Sequence, residues 1–147
     1  MPKWLDLPPI WLIAMMALVY VDATMIAPWP GWPMPWLGAA VMAVGVLIAI
    51  WAALSFKAAK TTIIPHQAPS ALITTGAFAY SRNPIYLADV IVLIGWGLIF
   101  GAALALLVVV IFIWILTARF IAPEEERLAA AFGEEFKAYQ ARVGRWF

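Results

Sequence analysis

Two stretches hold nearly all of the polar chemistry in this chain. The first is YSRNPIYLADV, Tyr80 to Val90, and the second is PEEERLAAAFGEEFKAYQARVGRWF, Pro123 to Phe147. Arg82 and Asn83 can meet a carboxylate, Tyr86 brings a phenol, and Asp89 lies one helical turn further on, on the same face as Tyr86. Glu124 and Glu125, with Glu126 beside them, can satisfy an amine, a cation or a pair of hydroxyls. His66, between Pro65 and Gln67, is the only histidine.

The surroundings of these groups are unusual. Of the 147 residues 66% are hydrophobic and only 12% are charged, more apolar surface than a soluble domain of this length can bury. Apolar runs of about 18 residues or more read as bilayer-spanning helices. Nine tryptophans suit the membrane–water interface. A net charge of +1 argues against nucleic acid as a partner. With no cysteine, disulfides and cysteine nucleophiles are excluded, and a single histidine argues against a catalytic zinc. Asp6, Pro8, Pro9 and the missing small-residue cleavage site make the first apolar run a retained span, not a signal peptide.

The expected organisation is an all-α membrane protein forming one domain over 1–147. Four transmembrane helices, at about 10–27, 36–56, 84–100 and 104–122, are arranged as two hairpins. PWPGWPMPW, Pro28 to Trp36, and GAA, Gly101 to Ala103, make tight uncharged outer turns. Every lysine and arginine falls before span one, between spans two and three, or at the end of span four and beyond, so both termini and the middle loop are expected in the cytoplasm. The middle loop, about 61–83, carries Ile63, Ile64, Leu72, Ile73, Ala77 and Phe78, too apolar for a disordered connector. The helix at about 123–141 is amphipathic, with Leu128, Phe132, Phe136, Tyr139 and Val143 on one face. Any chemistry must lie where loop and tail meet, because the outer turns are too short to hold a site.

Each polar residue also has a plain reading. Asn83 is an N-cap, Arg82 snorkels to phosphates, Tyr86 belongs to the aromatic belt, and His66 is a solvated loop residue. The glutamates are the acidic first turn of an interfacial helix opened by Pro123. Carboxylates inside spans are costly and functional by default, which singles out Asp89 near the mouth of span three and leaves Asp22, near the far end of span one, without a role. The Gly97–Gly101 spacing packs span three against span four, or else forms a homodimer seam.

Taken in order, PHQAPSALITTGAFAYSRNPIYLAD, a hydrophobic hairpin and RFIAPEEERLAAAFGEEFKAYQARVGRW resemble the isoprenylcysteine carboxyl methyltransferase family and its phospholipid methyltransferase relatives. The resemblance covers more than half of the chain, from Thr61 onward. It implies an integral membrane methyltransferase that uses S-adenosylmethionine, releases S-adenosylhomocysteine and needs no metal. Leu72 and Ile73 match residues that lie against the cofactor, and Phe78 an aromatic beside it. Asn83, Pro84, Ile85 and Tyr86 match the His-Pro-x-Tyr signature lining the cofactor pocket, with asparagine in place of histidine. Glu124 and Glu125 match the Glu-Glu pair at that pocket. Arg119 falls within one position of a family arginine at the substrate, and His66 near an upstream polar cofactor contact. Where the family carries a bulky residue this chain has Asp89, which favours an amine or thiol acceptor over a prenylcysteine carboxylate.

The physical chemistry agrees with that implication. Methyl transfer needs nucleophile and methyl held in line at about 3–3.5 Å with water excluded. A pocket capped by the loop takes a lipophilic substrate from the bilayer and a polar cofactor from the cytosol. The expectation is therefore methyl transfer to a lipophilic carboxylate, amine or thiol at the cytoplasmic face of the inner (cell) membrane, with membrane lipids as neighbours. The alternative is a structural or accessory membrane protein that keeps the fold without the chemistry.

Overall fold

A computed structural model describes residues 7–26, 33–59 and 71–147, all helical or connecting, with no strand among them. His66 and the first part of the expected loop lie outside the described residues. The helices are α1 (Pro8–Val21), α2 (Pro35–Ala58), α3 (Pro84–Phe100), α4 (Ala105–Leu116) and α5 (Ala122–Arg142), with a 3-10 turn at Gly76–Ala79. Proline occupies a first-turn position of α1, α2 and α3, where its missing N–H leaves no helical bond unmade.

Trp36, Leu47, Leu106 and Trp114 lie largely exposed on the helix surfaces. Water would penalise such an apolar exterior, and lipid does not. Pro8–Met25, Pro35–Ala58 and Ala105–Arg142 are long and apolar enough to cross a membrane, and α3 is a shorter apolar helix. The chain is an integral membrane protein.

Two expectations about the helices are revised. The fourth span and the amphipathic helix are one continuous rod, because α4 passes into α5 through a π-helical segment, Thr117–Ile121. Pro123 explains the widening: its ring clashes with the carbonyl four residues back and it has no N–H, so the turn before it loosens. The rod bends later, at Gly133, whose φ of 49° and ψ of −116° suit only glycine. Nor do the spans pack simply as two hairpins. The main interface of α2 is with α3, whereas α1 lies against α3 and α4.

Glycine makes the α2–α3 seam. A Cβ on Gly38 would stand 2.5 Å from the Gly95 carbonyl oxygen, and one on Gly45 2.9 Å from that of Ala88. Gly38 and Gly45, like Ala88 and Gly95, are two turns apart, so the antiparallel backbones touch at successive repeats. Gly97 packs instead on Ala105 of α4, the intramolecular reading of that spacing, and Gly101 ends α3 in the left-handed conformation.

Polar bolts hold α1. Trp96 Nε1–H donates to the Met16 carbonyl at 3.0 Å, and Leu104 N–H donates to Asp22 Oδ2 at 2.9 Å. Leu104 precedes α4 and has no side-chain cap of its own, so Asp22 satisfies an orphan amide from another helix. Between these helices sits the main core, built around Val19, Leu93, Val109, Phe112, Leu116 and Phe120.

Candidate functional site

Loop 71–83 is folded, as its apolar content implies. Gly76 adopts a φ of 62° and turns the backbone onto Ser55 of α2. Ala77 N–H donates to Ser55 Oγ at 3.2 Å, while that hydroxyl donates to the Trp51 carbonyl at 2.9 Å. Below this turn Ile73, Ala77 and Phe78 bury themselves against Ala52, with Phe56 and Ile85 alongside. The Phe78 carbonyl accepts the Tyr139 hydroxyl at 2.6 Å, and Leu72 packs on Phe136, Tyr139 and Val143. Leu72, Ile73 and Phe78 thus wedge the loop between α2 and α5. Burial pushes the Tyr139 hydroxyl up to about 12, so it stays a donor across the physiological range.

At the head of α3 the two polar stretches converge. Tyr86 Oη donates to Glu124 Oε2 at 3.2 Å across 38 residues of sequence. Asp89 and Arg127 both lie within electrostatic reach of that hydroxyl. Glu125 is buried, and its carboxylate faces two cations. Arg145 donates Nε to Oε1 at 3.2 Å and Nη2 to Oε2 at 2.6 Å, and Arg82 Nη1 stands 3.2 Å from Oε1. The Glu125 hydrogen bond also raises the pKa of Arg145, so its guanidinium stays charged.

Asn83 does not cap α3 with its side chain. Its backbone is non-helical, as the following proline demands, but Nδ2 donates to the Arg145 carbonyl at 3.1 Å. Pro84 and Ile85 are the first residues of α3, with Pro84 buried and Ile85 against Phe78. Arg82 N–H donates to the Gly144 carbonyl at 3.0 Å. Among the described residues two buried guanidinium nitrogens of Arg82, Nε and Nη1, have no hydrogen-bond acceptor; the Glu125 contact of Nη1 has ion-pair distance without hydrogen-bond alignment.

The structure therefore brings Arg82, Asn83, Tyr86, Asp89, Glu124 and Glu125 into one neighbourhood. Arg119 has its guanidinium over the Trp11 ring of α1, 5.4 Å from the centroid. Sequence reasoning missed Ser55, Ser81 and Arg145. Ser81 Oγ accepts Asn83 N–H at 3.1 Å and donates to the Arg145 carbonyl at 3.4 Å. A serine in an apolar helix and an arginine after an amphipathic one carry no signal of such partners. One cavity among the described residues, about 380 Å³ between Met34, Leu98, Ala102 and Val109, is apolar and lies at the opposite end of α3. It has none of these polar groups.

A family model described as phospholipid methyltransferase matches residues 34–135, from the start of α2 into α5. A Haemophilus influenzae protein described only as uncharacterized is 40% identical over 62 residues, which cover 42% of this chain and 98% of that protein.

Proposed function

Because this chain belongs to the phospholipid methyltransferase family, we propose that it moves a methyl group from S-adenosylmethionine to a lipophilic amine at the cytoplasmic face of the inner membrane. The observation that carries this reading is the Tyr86–Glu124 contact, which joins two motifs 38 residues apart into one polar mouth. The donor set suits the cofactor. Two buried guanidinium nitrogens of Arg82 still need an acceptor, and the cofactor's carboxylate is one. Glu124 is the matching acceptor for its amine or ribose hydroxyls.

When bound, S-adenosylmethionine supplies an electrophilic methyl on a sulfonium sulfur, which leaves as the neutral thioether. The chain's own part is to hold, orient and dehydrate. Tyr86 and Glu124 fix each other, so that neither has to be ordered when ligand arrives. Arg82 and Asn83 hold the head of α3, and the loop carrying Leu72, Ile73 and Phe78 covers it. Asp89, one turn deeper on the Tyr86 face, accepts the proton that an ammonium acceptor must shed. Arg119, held on Trp11, faces the approach of the acceptor rather than the reacting atoms.

Placement of the lysines and arginines supports the cytoplasmic assignment of this mouth. At 17 residues α3 is about 26 Å long, slightly less than the hydrocarbon core of about 30 Å, and we read it too as a span, making four in a single domain, with the site at its polar head. Incubating detergent-purified protein with methyl-labelled S-adenosylmethionine and lipid extracts tests the reading. Label is expected in an aminolipid fraction, and Asp89→Asn is expected to lower turnover by about a hundredfold, within the range of a lost general base, while cofactor binding persists. Label in no lipid fraction would refute the reading, and unchanged turnover would remove Asp89 from it.

A further inference from the structure

We propose that the segment Val143 to Trp146, beyond the matched family region, is a positioning element of the donor site, with Arg145 as its key residue. The inference rests on the functional reading above and adds a part to that site.

Its basis is a geometric need. Glu124 and Glu125 sit on α5, and consecutive residues of a helix point about 100° apart. Which of them meets Tyr86 therefore depends on the rotation of α5 about its own axis. Regular α-helical winding from α4 does not give that rotation, because the π-helical segment Thr117–Ile121 shifts the phase. Nor does the far side dictate it, because Gly133 breaks the helix again. Residues 122–132 lie between a π turn and the break at Gly133, and tertiary contacts help to hold their phase.

Arg145 supplies that brace. Its side chain takes both oxygens of Glu125, at 3.2 and 2.6 Å. Its carbonyl accepts Asn83 Nδ2 and Ser81 Oγ from the head of α3, and the neighbouring Gly144 carbonyl accepts Arg82 N–H. One residue thus clamps the start of α5 to the start of α3, the two pieces that bring Glu124 to Tyr86. The segment is anchored at both ends. Val143 is buried with Phe136 and Tyr139, and Trp146 packs on the main core, as does Tyr86.

The test is titration of the purified full chain with S-adenosylhomocysteine, with thermal unfolding of each variant in the same detergent. Arg145→Ala is expected to raise Kd about tenfold, and Arg145→Lys, which keeps the charge but loses the two-pronged grip, about threefold. The deciding readout is coupling. If Arg145 acts by presenting Glu124, Arg145→Ala adds less than about twofold in a Glu124→Gln background, whereas a general structural role multiplies the two losses. Should Arg145→Ala fail to fold, Arg145→Lys carries the same comparison. Wild-type binding that Arg145→Ala and Arg145→Lys leave undiminished, or multiplicative losses, would overturn the proposal alone. A wild-type chain that binds no S-adenosylhomocysteine overturns the functional reading and this inference with it.

Discussion

Adding one methyl group at Gly76 tests how the site's cover is held on α2. Gly76 has a φ of 62°, and its missing Cβ would collide with Ser55 Oγ, the acceptor for Ala77 N–H. An L-residue in the left-handed region costs about 1–2 kcal/mol, and crowding a packed contact costs about 1–3 kcal/mol more. Gly76→Ala is thus expected to destabilise by about 2–5 kcal/mol. Ser55→Ala leaves the Ala77 amide unpaired, at about 1–3 kcal/mol. In the double variant the clashing oxygen is gone, and the next atom, the Cβ at position 55, is 3.2 Å away. There the alanine costs little beyond its backbone conformation. The double loss is therefore expected to fall short of the sum by about 1–3 kcal/mol. Equilibrium unfolding in mixed micelles, followed by tryptophan fluorescence, gives all three energies. Strict additivity would refute the claim that Ser55 and Gly76 form one contact.

Two further outcomes follow from the packing. Gly38→Ala and Gly95→Ala, each forced against backbone of the opposing helix, are expected to cost at least about 1–3 kcal/mol in the same unfolding assay, while Ala43→Gly on the exposed face of α2 costs about 1 kcal/mol or less. The Tyr139 hydroxyl has its pKa raised from 10.0 to about 12, so folding favours its protonated form. Its contribution is complete below pH 10 and disappears as pH rises through 12. Unfolding curves between those limits are expected to show an alkaline loss that Tyr139→Phe lacks, the substitution itself costing about 1 kcal/mol at neutral pH.

What the sequence made legible follows from what leaves a local trace. Apolar runs marked the membrane helices, and the period of Leu128, Phe132, Phe136, Tyr139 and Val143 marked the face of α5 that is indeed turned inward. The Tyr86 and Glu124 motifs foretold a meeting that the fold delivers at 3.2 Å. Partner choice left no such trace. Gly38 and Gly95 are ordinary residues of apolar helices until the two backbones are set side by side, which is why a hairpin of spans one and two looked natural. Pro123 promised a new helix, whereas a single loosened π turn absorbs it. Asp22 had no visible partner because a backbone amide from another helix, Leu104 N–H, is invisible to any sequence pattern. Ser55 and Arg145 were overlooked for the same reason: their work is with main-chain groups and with a carboxylate far away in sequence.

The claim beneath all of this is that the head of α3 and the start of α5 together hold one sulfonium nucleotide. Calorimetric titration of the purified chain with S-adenosylmethionine, wild type against Glu124→Gln, tests it most directly. The account predicts one site per chain in the wild type and an affinity about tenfold weaker in the variant, the worth of one charged hydrogen bond. Equal affinity in the two proteins, or no binding in the wild type, would contradict it.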